Sequence, residues 1–286
     1  MSSDIILDVR KLEKNYNTTT HEGKENIYSV LKGISFQVHK GEFISIMGSS
    51  GCGKTTLLKI LGMLSEPSKG TVLYKGKDIQ EIYGENLARI RRTEIAFVFQ
   101  DYYLMNSLTV KDNIMLPLIL NENDLKEGIK SVKKIAAEFG IASLLNKYPY
   151  ELSGGEKQRT AICRAMIENP ELILADEPTG NLDSNTSLQV IKTLVHINET
   201  LNKTVVMVTH DPKMASYGKK TFFLKDGVIL DSLIKKESNE KYYEMAVGIL
   251  RANHEQTFQQ TLAVGHLKLY AEDYSVYLNR IPDLFL

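Results

Sequence analysis

The sequence has little of what marks several classes of protein. Two cysteines in 286 residues, Cys52 and Cys163, are too few for a disulfide framework and predict a reducing compartment. No excess of basic charge exists, because 35 Lys and Arg balance 35 Asp and Glu. This disfavours nucleic acid as a partner, although a local basic patch stays open. No window approaches the ~18 uncharged apolar residues of a membrane helix, so a membrane role requires a partner protein.

Targeting segments and repeats are also missing. Residues 1–4, MSSD, include neither a basic nor an apolar signal region, so we expect no signal peptide. Hydrophobic residues make up 43% and charged residues 24%, which is ordinary globular composition. At ~150 residues per domain, the chain has room for one large domain or two small ones.

Short apolar runs alternate with helical patterns along the chain. This order predicts an α/β domain with a mostly parallel sheet. A polar stretch over 17–26 predicts an exposed loop, and residues from about 109 to 165 are mostly helical in pattern. The predicted strands are Ile5–Val9, Ile34–Val38, Phe43–Met47, Ile95–Phe99, Leu172–Ala175 and Val205–Val208, and helical spacing follows over Lys54–Leu64.

A glycine-rich segment lies between the strand 43–47 and the helix that begins at Lys54. Residues 48–55, GSSGCGKT, fit the pattern G-x-x-x-x-G-K-[ST]. Here backbone N–H groups surround phosphates, Lys54 contacts the β- and γ-phosphates, and the Thr55 hydroxyl binds Mg²⁺. The strand–helix context disfavours the alternative of a glycine-rich turn without a ligand. The predicted nucleotide contacts are Gly48, Ser49, Ser50, Gly51, Cys52, Gly53, Lys54, Thr55 and Thr56.

Two acidic residues directly follow the apolar run 172–175. Asp176 occupies the position from which an acid opposite the glycine-rich segment holds Mg²⁺ through water. Glu177 is placed to orient or deprotonate an attacking water. A solvated acidic turn before Pro178 would explain these residues equally well if they stood alone, but the neighbouring phosphate motif favours the catalytic interpretation.

A second glycine-rich helix start occurs at residues 152–159, LSGGEKQR. The amino-terminal end of a helix favours anions, so Ser153, Gly154 and Gly155 predict a second phosphate site. One ATP does not need two such sites in one subunit, whereas two subunits that face each other do.

The order of these motifs resembles that of the ABC-type ATPases. The resemblance covers about residues 5–231 and rests on GSSGCGKT, LSGGEKQR and ADEP. It implies a P-loop NTPase fold with a mostly parallel sheet, an N-terminal antiparallel β subdomain and an inserted α-helical subdomain at about 101–165. It also implies an ATPase domain over 1–231, followed by a C-terminal helical extension over 232–286.

Further positions match the family pattern, although each is weak alone. Tyr16 matches the aromatic residue that stacks under the adenine in this family. Without the resemblance, a tyrosine at this position would more often be a packing residue. Gln100 matches the Q-loop and His210 the switch histidine at the γ-phosphate; alone, both would be solvated polar residues. Residues 181–183, NLD, match the D-loop. Lys54, Asp176, Glu177 and His210 are all intact, which argues against an inactive binding subunit.

The resemblance implies a head-to-tail dimer that encloses two ATP molecules. Each ATP would lie between the glycine-rich segment of one chain and residues 152–159 of the other. The implied catalytic groups are Lys54, Gln100, Glu177 and His210; the implied Mg²⁺ ligands are Thr55, Gln100 and Asp176; and further implied nucleotide contacts are Tyr16, Ser153, Gly154, Gly155, Glu156 and Asp183.

Residues 95–118 and 179–183 also resemble one group within the family, which contains lipoprotein-release, macrolide-export and cell-division ATPases. Within it, residues 97–118 are most similar to ATPases of bacitracin- and lantibiotic-resistance transporters. This implies a peripheral protein at the cytoplasmic face of the membrane. Its partners would be a second copy, an integral-membrane permease with a large extracellular domain and, as a further candidate, a sensor kinase.

Two other functions remain as alternatives. The first is the ATPase of a lipoprotein-release, macrolide-export or cell-division complex. The second, a soluble ATPase that acts on ribosomes or DNA, is disfavoured by the single P-loop motif, the lack of sustained heptads and the zero net charge.

The C-terminal extension departs from the family pattern, because these ATPases usually end soon after the position of Asp231. The charged stretch 232–241 predicts a linker, and Tyr242, Met245, Ala246, Ile249 and Leu250 then follow helical spacing. Aromatic residues argue against a disordered tail. One interpretation packs this segment on its own domain; the other has it contact the second ATPase subunit or the permease. The aromatic residues of the extension are Tyr242, Tyr243, Phe258, Tyr270, Tyr274, Tyr277 and Phe285.

The two cysteines have simple interpretations. Cys52 fills a variable position of the phosphate motif, and Cys163 is expected to pack on the helix after LSGG. Redox sensing at Cys52 is the alternative.

Overall fold

The computed structural model describes residues 4–19, 25–236 and 238–250, which form two β-sheets and their surrounding helices. This confirms the predicted α/β class. The strands are β1 (Ile5–Thr19), β2 (Glu25–His39), β3 (Phe43–Met47), β4 (Lys69–Tyr74), β5 (Lys77–Asp78), β6 (Ile95–Phe99), β7 (Leu172–Asp176), β8 (Thr204–Thr209), β9 (Lys220–Lys225) and β10 (Val228–Ile234). The helices are α1 (Lys54–Leu61), α2 (Gly84–Thr93), α3 (Val110–Leu120), α4 (Leu125–Glu138), α5 (Gly154–Met166), α6 (Ser184–Glu199), α7 (Pro212–Ala215) and α8 (239–250).

The larger sheet has six strands in the order β10-β9-β3-β8-β7-β6. Strands β6, β7, β8, β3 and β9 are mutually parallel, and β10 returns antiparallel along the edge. Parallel strands covered on both faces contain nearly continuous apolar runs, which is why β3 and β8 are buried at every residue. The carboxyl ends of the parallel strands meet at one edge of the sheet, where ligands of such folds bind.

Successive side chains of the parallel strands point to opposite faces of the sheet, which divides the core into two layers. Ile44 and Val206 face a cluster shared with α1 and the smaller sheet. Val205 and Met207 face the opposite cluster, which α3, α5 and α6 complete. The site at the sheet edge is therefore anchored from both sides by buried side chains.

The smaller sheet is built on a long antiparallel hairpin of β1 and β2, with strand order β2-β1-β4-β5. The predicted exposed loop over 17–26 is wrong at both ends, because Asn17 pairs with Ile27 and Thr19 pairs with Glu25. A two-stranded ribbon is held by backbone hydrogen bonds and needs no buried side chains, and Ile27 is accordingly 72% exposed. Residues 20–24 of that prediction lie outside the described residues.

The predicted helical stretch contains α3, α4 and α5, which pack on one another. Thr109 caps α3 and Asp124 caps α4 through side-chain acceptors for backbone N–H groups. Across the described ranges 4–19, 25–236 and 238–250, no helix combines the length and apolar character needed to cross a bilayer.

The C-terminal extension begins within the larger sheet. The predicted linker over 232–241 is wrong at both ends, because β10 continues to Ile234 and α8 begins at 239. The predicted domain boundary after Asp231 thus falls inside a strand that pairs with β9. In α8, Tyr242 and Ala246 are buried while Met245 is half exposed, so its first part packs on its own domain. The predictions for 251–286 lie outside the described residues.

An ion-pair network joins the end of β4 to the beginnings of β6 and β7. Lys75 Nζ lies 2.7 Å from Glu94 Oε2 and 2.9 Å from Glu171 Oε1, and Arg89 contacts the other Glu94 oxygen at 2.7 Å. Burial alone would raise the pKa of Glu94, but hydrogen bonds from Lys75 and Arg89 outweigh burial and lower it. The hydrogen bond from Lys75 lowers the pKa of Glu171.

We expect Lys75→Met to reduce the free energy of unfolding by about 1 kcal/mol at pH 7, a small value because the pair is partly solvated. Carboxylates with lowered pKa values stabilise the fold above their unfolded pKa near 4 and lose that contribution as pH falls through the folded value. The difference should therefore shrink below about pH 4. Urea unfolding at pH 7 and pH 3.5 measures it, with Lys77→Met on the neighbouring exposed strand as control. An equal difference at both pH values would contradict the network.

Candidate active site

The glycine loop, residues 48–53, connects β3 to α1 in a conformation that only small residues adopt easily. Gly51 and Gly53 have φ of 81° and 107°, in the left-handed region. A Cβ on Gly53 would lie 2.8 Å from Leu31 Cδ2 and 3.1 Å from the Val30 carbonyl oxygen. No side chain caps α1 and no acidic residue occurs in its first turn, so its amino-terminal N–H groups and dipole are available to an anion.

Lys54 is turned back onto the glycine loop. Its Nζ donates to the carbonyl oxygens of Gly48 at 2.8 Å and Ser49 at 3.0 Å, and lies 3.2 Å from Glu177 Oε1. The lysine is only 6% exposed, so these partners satisfy a nearly buried cation. In the glycine loop, Ser49 and Ser50 are exposed. Thr56, in the first turn of α1, is half-buried.

Thr55 and Asp176 meet across the sheet edge, although 121 residues separate them in sequence. The Thr55 hydroxyl donates to Asp176 Oδ1 at 3.0 Å. Burial raises the pKa of Asp176, and the charge of Glu177 adds to this effect. Within the part of the chain that the structure describes, no group of three or more His, Cys, Asp or Glu forms a complete metal cage. These two oxygens fit Mg²⁺, which keeps waters and phosphate oxygens as most of its ligands.

Glu177 sits at the centre of the polar contacts. Its Oε1 faces Lys54, and its Oε2 lies 2.7 Å from His210 Nδ1 and accepts from the His210 backbone N–H at 3.3 Å. Its φ of 46° is in the left-handed region, an unusual conformation for a residue with a side chain. The backbone N–H of Glu177 donates to Val208 at 3.0 Å, which holds this turn against β8. The predicted base, lysine and histidine thus form one connected group.

Gln100 meets the D-loop rather than the Thr55–Asp176 pair. Its amide nitrogen donates to Asn181 Oδ1 at 3.0 Å, and the amide of Asn181 donates to Asp101 Oδ1 at 3.3 Å. Gly180 packs so closely that a Cβ there would lie 3.0 Å from the Gln100 amide. Sequence analysis placed both residues in named loops but missed this hydrogen bond. No local signal predicts it, because 81 residues separate the partners.

The signature segment, residues 152–159, is a capped helix start. The Ser153 hydroxyl accepts from the Glu156 N–H, and the Glu156 carboxylate accepts from the Ser153 N–H at 2.8 Å, which completes a capping box. The backbone N–H and the hydroxyl of Ser153 both donate to the Glu156 carboxylate, and these two hydrogen bonds lower its pKa. A Cβ on Gly154 would lie 2.7 Å from Leu182, and one on Gly155 would lie 2.2 Å from Thr186. Both glycines therefore allow α5 to pack against the D-loop and α6.

Asp183 is the N-cap of α6 and accepts from the N–H groups of Asn185 and Thr186. Hydrogen bonding to Thr186 and Asn185 lowers the pKa of Asp183. The structure thus gives this residue a role at a helix end, and its predicted nucleotide contact stays a prediction.

Tyr16 lies on β1, is 42% exposed and pairs across the hairpin with Tyr28, which is 62% exposed. The Lys14 ammonium lies 5.1 Å from the centre of the Tyr16 ring. An exposed aromatic face of this kind can stack on a base. The sequence did not single out Tyr28 as a neighbour of Tyr16. That position follows only from the register between β1 and β2.

The cysteines are buried and reduced. Burial raises the pKa of Cys52, and the opposing charge of Lys54 does not compensate for it. This disfavours the thiolate that redox sensing requires. Cys163 is fully buried, as expected for a packed residue.

A glycine loop between a parallel strand and a helix, with a threonine hydroxyl facing the acid at the end of a nearby strand, defines a P-loop nucleoside triphosphatase. The family follows from the comparison with known proteins. The family model described as "ABC transporter" matches residues 31–180, and the chain belongs to that family. It is an ATP-binding ATPase subunit of the ABC transporter type.

Named relatives lie in more than one branch of the family. The chain is 43% identical over 240 residues to the bacitracin export ATP-binding protein BceA of Halalkalibacterium halodurans, with 84% of this chain and 93% of that protein covered. It is 42% identical over 208 residues to the lipoprotein-releasing system ATP-binding protein LolD of Aquifex aeolicus, with 73% and 92% covered.

A solved structure supports the fold and the chemistry. The dimeric post-hydrolysis state of the ATP-binding cassette MJ0796, bound to ADP and Pi, is 36% identical with a TM-score of 0.73. The match covers 81% of this chain and 100% of that chain. It bears out the prediction of a P-loop fold with ATPase activity.

Proposed function

We propose that the chain hydrolyses ATP with Glu177 as the base and with Lys54 and His210 as electrostatic partners of the γ-phosphate. The observation that carries this assignment is the connected group Lys54–Glu177–His210, at 3.2 and 2.7 Å, directly beside the glycine loop. A carboxylate at this point takes a proton from water. Lys54 and His210, on either side of it, stabilise the charge that develops on the transferred phosphoryl group.

We infer that a γ-phosphate changes the contacts of Lys54. A γ-phosphate offers Lys54 a dianionic partner and replaces the loop carbonyls that now accept from it. Once Lys54 faces the phosphate, Glu177 loses its ion pair with Lys54, keeps its contact with His210 and can contact a water. ATP binding then exchanges one set of ionic contacts for another.

Thr55 and Asp176 are the residues that we propose to hold Mg²⁺, with Gln100 as a third ligand after it leaves Asn181. The ion would supply positive charge at the β- and γ-phosphate oxygens. Burial and the charge of Glu177 raise the pKa of Asp176, and a bound cation would offset both effects.

A second copy is the proposed source of the other half of each site. The signature segment carries a helix start of its own and so a second place for phosphate oxygens. MJ0796 is dimeric with ADP and Pi, which supports the same assembly here. We propose that Tyr16 stacks on the adenine and that Ser153, Gly154, Gly155 and Asp183 belong to the proposed interface.

The transported substrate is proposed to be a peptide antibiotic of the bacitracin or lantibiotic class. Similarity to BceA over 93% of that protein supports this choice, and similarity to LolD supports lipoprotein release as the second candidate. For the first candidate, the proposed partners are a membrane permease with a large extracellular domain and a sensor kinase; for the second, the proposed partner is a permease of about four helices. The proposed location is the cytoplasmic face of the membrane.

Purification of the tagged chain from native membranes distinguishes these candidates. For peptide-antibiotic resistance we expect a co-purified permease of about ten helices, and bacitracin or a lantibiotic should stimulate ATP hydrolysis in the reconstituted complex. A complex carrying Glu177→Gln is the control, because it should assemble without stimulated hydrolysis. Permeases with about four helices and no antibiotic response would favour the second candidate. A chain found only in the soluble fraction, on ribosomes or DNA, would contradict both.

A further inference from the structure

Helix α8 is packed against both flanks of the active site. Ala246 is fully buried in one apolar cluster with Met47, Ala215 and Phe223. Met47 immediately precedes the glycine loop, and Ala215 ends α7, the short helix that follows His210. The hydroxyl of buried Tyr242 donates to the Leu233 carbonyl oxygen at 2.7 Å, which ties the start of α8 to β10.

The next residue, Tyr243, faces the catalytic loops. It lines a cavity of about 260 Å³ between the D-loop region and the switch segment, defined here as residues 209–214. The other walls of this cavity include Gly180, Leu182, Thr209, His210 and Lys213. A tyrosine side chain in this wall bounds the space into which the switch segment can move.

We propose that Tyr243 is a positioning residue that holds the switch segment so that His210 stays in register with Glu177. The proposal rests on the role assigned to His210 above. The contact of 2.7 Å between His210 Nδ1 and Glu177 Oε2 would be lost by a small displacement of the switch segment. The segment is fixed by hydrogen bonds at its two ends. One is Thr209 at the end of β8, and the other is Ala215, whose carbonyl oxygen accepts from the Ser45 hydroxyl at 3.0 Å. Tyr243 forms part of the wall of the cavity that borders the stretch between them.

Steady-state ATPase kinetics of the full-length chain test this role. We expect Tyr243→Ala to lower kcat about 10-fold with the KM for ATP changed less than about 2-fold, since misplaced groups slow the chemical step without weakening the phosphate site. Tyr243→Phe keeps the ring and should restore kcat to within about 2-fold of the parent. Met245→Ala, on the half-exposed side of the same helix, is the matched control and should leave both constants unchanged.

Each other result overturns the proposal. An unchanged kcat in Tyr243→Ala would show that the ring does not position the switch segment. A parallel rise in KM, or a loss in Tyr243→Phe as large as that in Tyr243→Ala, would assign Tyr243 a different role. The Glu177→Gln variant is measured alongside. If it hydrolyses ATP as the parent does, the assigned active site fails, whereas an inactive Glu177→Gln beside an unaffected Tyr243→Ala rejects only the role of Tyr243.

Discussion

Replacement of Glu177 by Gln should lower kcat for ATP hydrolysis by about 10²- to 10³-fold while ATP still binds. The amide keeps the shape of the side chain and can still meet His210, but it neither accepts a proton from water nor pairs with the Lys54 ammonium at 3.2 Å. Steady-state phosphate release measures the loss. Equilibrium binding of a fluorescent ATP analogue measures retained affinity.

The matched control is Glu171→Gln. Glu171 precedes the same strand, β7, at the end opposite Glu177, and its carboxylate pairs with Lys75 at 2.9 Å and Lys40 at 3.5 Å. The same chemical change there should affect stability slightly and hydrolysis hardly at all. Hydrolysis by Glu177→Gln at the parent rate would remove this residue from the mechanism.

The second large effect concerns two variants that are inactive alone but active together. Lys54→Ala removes the cation from the glycine loop, and Ser153→Arg fills the start of α5 with a bulky side chain. If each site takes its glycine loop from one chain and its signature segment from the other, a mixed dimer keeps one intact site. An equimolar mixture should regain roughly a quarter of the parent activity, because about half of the dimers are mixed and each has one working site.

Asp124→Arg is the control for the Ser153 substitution. Asp124 caps α4 as Ser153 caps α5, so its loss also removes a helix cap and introduces an arginine. It should cost about 1 kcal/mol of stability and leave hydrolysis near the parent level. A mixture of Lys54→Ala and Ser153→Arg without activity would contradict a shared site, and so would full activity of Ser153→Arg alone.

Local chemistry made much of the site predictable. The glycine loop is a continuous segment between a strand and a helix, and its positive φ values follow from the glycines themselves. Asp176 and Glu177 follow an apolar run, and parallel strands bring their carboxyl ends to one edge. The sequence alone therefore predicts that Lys54, Thr55, Asp176 and Glu177 lie near one another.

Contacts across the fold were harder to predict. The left-handed backbone of Glu177 and its simultaneous contacts with Lys54 and His210 depend on the order of three strands in the sheet. The helical spacing of α8 identified its buried side, yet periodicity does not show that this side meets Met47 and Ala215. The long β1–β2 hairpin was missed because its outer pairs carry polar residues, and backbone pairing alone leaves no apolar pattern.

The capping box at Ser153 affects the rates at which two chains can associate and dissociate. Because the Glu156 carboxylate accepts from both the backbone N–H and the hydroxyl of Ser153, this helix end is ordered before any partner arrives. Docking onto a preorganised surface avoids the entropy of ordering a loop, so encounter frequency rather than local refolding sets the association rate. In the proposed dimer, the two chains can then join and separate in every turnover without a folding step in either direction.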